Sequence, residues 1–198
     1  MQDPQAKKAT WRRALALAAF TCSLLAATAA IAGNGGVCER EMALAAKRHE
    51  VPLGVLYAVG LTETGRKGSL HPYALNIAGK TVFTNSQPEA LAAFEAARKQ
   101  GIRLIDLGCM QVNHHYHGAE FASVSDMLVP PRNIDYAARF LNRLRIQEGS
   151  WTMAVARYHA GPDNNPAQKR YVCAVIRNLV ASGFGSWTRE SRAFCGND

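Results

Sequence analysis

Helix start and stop signals recur along most of this chain, and they constrain its fold more than any other feature. Over residues 38–50, Met42, Leu44, Ala45 and Ala46 fall at helical spacing. Pro52 suits the first turn of a second helix, where a missing N–H leaves no bond unmade. Leu53, Leu56, Tyr57 and Val59 carry that helix to Glu63, with Gly65 as its stop. Ser86-Gln87-Pro88-Glu89 is a capping box opening a third helix to about Lys99, with Leu91, Phe94 and Ala97 on its apolar face and Gly101 past its end. Pro130-Pro131 begin a fourth, striped by Ile134, Ala137, Ala138, Leu141 and Leu144 and stopped by Gly149. Trp151–His159 is a short fifth ending at Ala160-Gly161, and Pro166 starts a last one to about Ala181. Only residues 74–77 and 81–84, around a Gly79-Lys80 turn, read as strands, while residues 102–106 run extended toward Gly108. The expected fold is therefore mainly α (an α+β, helical domain with one small β-hairpin), and 198 residues suit one such domain.

The first 32 residues stand apart. Lys7, Lys8, Arg12 and Arg13 precede an apolar stretch at 14–27 that is short for a bilayer span, and Ala30-Ile31-Ala32 fits a cleavage site. Residues 1–32 read as a secretory signal peptide cleaved after about Ala32. That leaves 33–198 as an exported, periplasmic domain whose tail from about 182 carries no clear signal. Without the leader the chain holds 19 Lys and Arg against 14 Asp and Glu, about +5. Export and the lack of a basic run with interleaved aromatics speak against nucleic acid, and an anionic wall polymer or membrane surface fits better. Cys38, Cys109, Cys173 and Cys195 remain, an even number that favours disulfides in an exported chain. Three pairings are open. A Cys38–Cys195 bridge would tie down both ends, and Cys109 could instead be a buried packing residue.

Three short segments carry chemistry: Leu61-Thr62-Glu63-Thr64-Gly65, then Asp106-Leu107-Gly108-Cys109-Met110-Gln111-Val112-Asn113, then Arg157-Tyr158-His159-Ala160-Gly161. An acid at the C-terminal end of an apolar helix meets both desolvation and the negative end of the helix dipole, which favour its protonated form. A lone helix-end glutamate is ordinarily a solvated one, so the order and spacing of the other two segments single out Glu63. Together the three resemble the catalytic domain of soluble lytic transglycosylases, lysozyme-like in fold and related to goose-type lysozymes, over roughly residues 38–180.

That resemblance implies an enzyme with no cofactor and no metal, a carbon–oxygen lyase acting on peptidoglycan glycan strands. It would cleave the MurNAc–GlcNAc β-1,4 linkage and leave 1,6-anhydro-muramyl ends. Glu63 matches the family's acid, followed by Thr64 where serine is usual. Met110, Gln111 and Asn113 match the cleft floor, Tyr158 the tyrosine near the cleaved sugar, and Tyr171 one that holds the glutamate. His159 stands where asparagine is usual, and Asn76 on the first strand is a further cleft-facing candidate. Asp106 reads as a turn-ordering residue. His114, His115 and His117 lack the ligand spacing and partner motif of a metal site. The small size and the Asp-x-Gly-x-Met-Gln pattern resemble members serving conjugation, secretion, pilus or flagellar machines, whose components are the expected partners besides glycan. Two alternatives stay open: a lysozyme-type hydrolase using Asp106, and a non-catalytic wall-binding module.

Overall fold

A computed structural model of the chain describes residues 36–64, 69–161 and 163–196. The expected signal peptide and the stop at Gly65 lie outside those residues. The elements run α1 (Val37–Arg48), α2 (Leu53–Thr64), β1 (Ala74–Ile77), β2 (Lys80–Phe83), α3 (Gln87–Lys99), β3 (Ile105–Leu107), β4 (Val112–Asn113), α4 (His114–His117), α5 (Val124–Met127), α6 (Pro130–Glu148), α7 (Trp151–His159), α8 (Asn165–Ala181) and α9 (Arg189–Cys195). The fold is mainly helical with a small antiparallel sheet, as expected.

Local chemistry explains the boundaries. Ser86 Oγ accepts from the Glu89 amide, and the Glu89 carboxylate accepts from the Asn85 amide, one residue before the reciprocal partner that a strict capping box uses. Gly149 ends α6 in the left-handed region that favours glycine, at φ 78°. Ser150 then caps α7 through the Met153 amide.

Helix α2 is apolar all round because it runs through the middle of the domain, packed by α1 and by α8. Leu56, Ala58 and Val59 are fully buried within it. At Gly60 a Cβ would lie 2.5 Å from Met42 Cε and 3.3 Å from Met110 Sδ, so the missing side chain lets two methionines pack onto the turn before Glu63. Helix α6 packs on α1 and α7, and α7 packs on α8.

The expected hairpin is present, with Asn76 opposite Thr81. Two further strands extend it into a sheet of order β2-β1-β3-β4. At three and two residues, β3 and β4 are too short for an alternating pattern to declare them. The register places Asn76, Asp106 and Asn113 in one row across three strands.

The suggested bridge between the chain ends is corrected. The disulfides join Cys38 to Cys109 and Cys173 to Cys195, with Cα separations of 5.9 and 5.5 Å. Cys38 is buried on α1 against the segment after β3, and the tail turns back as α9 beside α8, so each cysteine meets a nearer partner. The tail is thus structured: Phe184 packs edge-on against Tyr57, and Thr188 with Ser191 caps α9.

Candidate active site

Glu63 is the penultimate residue of α2, and it lies at a cleft of about 390 Å³ between the sheet and the α6–α7 side. Its Oε1 accepts a hydrogen bond from the Tyr171 hydroxyl of α8 at 2.5 Å. Burial pushes the carboxyl up to about 7, against the lowering effect of that hydrogen bond, and the Asp106 charge adds to the rise. The carboxyl therefore holds and releases a proton near neutral pH, as a general acid–base group must. Tyr171 and Tyr158 are pushed far above the ordinary phenol range, first by burial and then by the Glu63 charge, so both stay protonated donors.

Each remaining residue singled out by sequence has a definite place. Asn76, Gln111, Asn113, Tyr158 and His159 line the cleft with Glu63. Asn76 Oδ1 is bound by the Gly79 amide, which orders the β1–β2 turn at the rim. Asn113 Nδ2 donates to Asp106 Oδ1 at 2.6 Å, while its own Oδ1 caps α4. Asp106 lines the cleft too; burial raises its carboxyl and the Asn113 amide lowers it. The Tyr158 hydroxyl donates to the Met110 carbonyl at 2.8 Å. His159 stacks face to face on Tyr171, 4.1 Å between centroids and 4° between planes.

Two of the residues point elsewhere. Thr64 is buried, and its hydroxyl reaches the carbonyls of Gly60 and Cys109, tying the end of α2 to the segment beneath it. The Met110 side chain is fully buried in the core, so only its backbone serves the cleft wall. Both act as scaffolding for Glu63 and Tyr158 rather than as surface offered to a ligand.

The structure adds residues that sequence reading missed. Asn133 of α6 has no exposed surface; its Oδ1 accepts from the Met110 amide at 2.9 Å, and its Nδ2 donates to the Leu107 and Met127 carbonyls. Gly108, at φ +79°, leaves room for it, since a Cβ there would sit 2.7 Å from Asn133 Nδ2. Gln111, itself at φ 46°, braces the same turn by donating to the Ala74 and Gly108 carbonyls. A lone asparagine in register with Ala137, Leu141 and Leu144 on an apolar stripe was the available signal. Asn133→Ala should lower the unfolding free energy by about 3 kcal/mol in urea titration, because it strands a buried amide and two carbonyls.

The other wall is aromatic. Tyr116, His117, Tyr136, Phe140 and Tyr158 line it. The Tyr136 hydroxyl meets His117 Nδ1 at 2.8 Å, and His117 and Tyr158 both pack on Phe140. Tyr136 and Phe140, one turn apart on α6 beside the apolar stripe, could have been flagged by that spacing. Apolar ring faces beside polar asparagines suit the mixed faces of pyranose rings, with C–H groups on one side and hydroxyls at the edge.

A family model described as the transglycosylase SLT domain matches residues 42–179, a span that takes in Glu63, the Gly108–Gln111 turn, the Tyr158 helix and Tyr171. In the same comparison no curated protein and no solved structure matches the chain. With most of its length matched by that model, the chain belongs to the SLT transglycosylase family, whose members act on peptidoglycan in the manner of lytic transglycosylases.

Proposed function

We propose that this protein is a peptidoglycan lytic transglycosylase that breaks the MurNAc–GlcNAc β-1,4 bond with Glu63 as its acid and then its base. The observation that carries the reading is the Glu63 carboxyl itself, desolvated, held by Tyr171 and pushed up to about 7 at the cleft. Protonated, it gives its proton to the glycosidic oxygen as the bond from the anomeric carbon breaks. The resulting carboxylate takes a proton from the muramyl 6-hydroxyl, whose oxygen closes onto the same carbon. One proton goes out and one returns, no water is consumed, and the product is a 1,6-anhydro ring. The substrate's N-acetyl oxygen stabilises the oxocarbenium-like transition state in place of a second protein carboxylate.

Asp106 gives the hydrolase alternative one specific support, since it shares the cleft and its charge reaches Glu63. Its bond to Asn113 and its place in the Asn76–Asp106–Asn113 row favour an ordering role instead. Product chemistry separates the two. Mass spectra of purified peptidoglycan digested with the protein should show muropeptides one water lighter than hydrolysed ones. Reducing-end products would make it a hydrolase, and binding without cleavage would make it a wall-binding module.

We further infer export to the periplasm, supported by the leader-like pattern of residues 1–32 and by two disulfides, which persist in oxidising compartments. The short Asp106-to-Gln111 pattern supports local wall opening for a conjugation, secretion, pilus or flagellar apparatus.

A further inference from the structure

We propose that His159 is a positioning residue: its ring, stacked on Tyr171, holds the tyrosine hydroxyl in line with the Glu63 carboxyl. This rests on the reading of Glu63 as the general acid. His159 is the last residue of α7 and Tyr171 lies on α8, so the stack joins two helices across one turn. That turn is fixed independently, because Gln168 of α8 donates to the Ala160 and Gly161 carbonyls immediately after His159. The two rings are nearly parallel at 4.1 Å, and the Tyr171 hydroxyl at the far edge donates to Glu63 at 2.5 Å. A phenol ring on an α-helix can still turn about its side-chain bonds, and a flat partner on its face removes that freedom.

The ionisable neighbours are Arg170 beside His159, and Asp106 and Tyr158 beside Glu63. Burial and Arg170 hold the imidazole below its usual range, which keeps it a neutral stacking ring at neutral pH. The Tyr171 hydrogen bond favours the Glu63 carboxylate. Loosening the tyrosine must therefore raise the carboxyl further while spoiling its aim at the leaving oxygen.

Two substitutions divide the side chain's properties. His159→Phe keeps the ring and loses the hydrogen-bonding nitrogens; His159→Asn keeps polar contact and loses the ring. The expected result is a fall in kcat of about 3- to 10-fold for His159→Asn at little change in KM, with its alkaline limb displaced to higher pH, and recovery of both in His159→Phe. In a Tyr171→Phe background His159→Asn should add nothing. The titration of Glu63, followed by carbon NMR of the side-chain carboxyl, reads the same effect without any turnover and should move upward in His159→Asn alone. A protein that cleaves no glycan yet shows that displacement would refute the catalytic reading and uphold the positioning. A Glu63 titration unmoved in His159→Asn, a change confined to KM, or additive losses in the double variant would overturn it.

Discussion

Glu63→Gln should abolish glycan cleavage and at the same time make the protein more stable at pH 8. Both effects come from one desolvated carboxyl. Glutamine keeps the shape and an oxygen for the Tyr171 hydroxyl, but it has no proton to give, so turnover should fall by roughly a thousandfold or more. The stability effect follows from linkage. The carboxyl is raised from 4.5 to about 7 in the folded protein, so between those values the folded state binds more protons than the unfolded one. Stability from this group is intact below pH 4.5, declines as the pH rises toward 7, and stays at its lowest above that. The full loss is on the order of 3 kcal/mol. Glutamine carries no such loss. Thermal unfolding of the two proteins should therefore coincide at pH 4 and separate progressively to pH 7, with the variant higher, and hold a constant gap to pH 9. A gap independent of pH would mean that Glu63 is not held protonated. Residual cleavage by the variant would pass the acid role to Asp106.

What the sequence disclosed and what it hid divide along physical lines. Long helices announced themselves because burial of one face imposes a period and because their ends need caps; the Pro130 and Gly149 boundaries of α6 are fixed by chemistry within the helix itself. The small strands β3 and β4 are held by pairing with β1 and with each other, a long-range cause that leaves no local trace. Glu63, Gln111 and Tyr158 were legible only through motif order. Their supports were less so: the apolar stripe of α6 marks Asn133 as a buried polar residue, but the three backbone groups it binds lie on other segments that the stripe does not name. Thr64 and Met110 fall in the motifs that carry the resemblance, which marks them as cleft residues. Both side chains face inward: Thr64 at the end of α2, where adjacent side chains point about 100° apart, and Met110 in the turn between β3 and β4. The stack of His159 on Tyr171 could not be read at all, since it depends on how α7 and α8 meet.

Losing the Cys38–Cys109 bridge should be the costliest covalent change, and it should reach the cleft as well as the stability. The bridge spans 71 residues of sequence, and Cys173–Cys195 spans 22. On the chain-entropy model their removal lowers stability by about 4 and about 3 kcal/mol respectively. Their surroundings differ more than their loop lengths. Cys109 lies between Gly108, packed on Asn133, and Met110, whose carbonyl anchors Tyr158. Its own carbonyl accepts from the Thr64 hydroxyl, next to Glu63. Cutting that bridge frees the segment that sets Glu63 and Tyr158 relative to each other, whereas cutting the other frees α9 from α8. The double variant Cys38→Ala, Cys109→Ala should thus lose both urea resistance and most turnover, and Cys173→Ala, Cys195→Ala should lose mainly urea resistance. Thiol titration of the oxidised native protein should find neither pair free; free thiols at Cys38 and Cys109 would overturn the pairing. A domain that leans on about 4 kcal/mol from one bridge, against a total of about 5–15 kcal/mol for typical domains, folds well only where that bridge forms. Refolding yield under reducing and oxidising conditions therefore also tests the inferred export to an oxidising compartment.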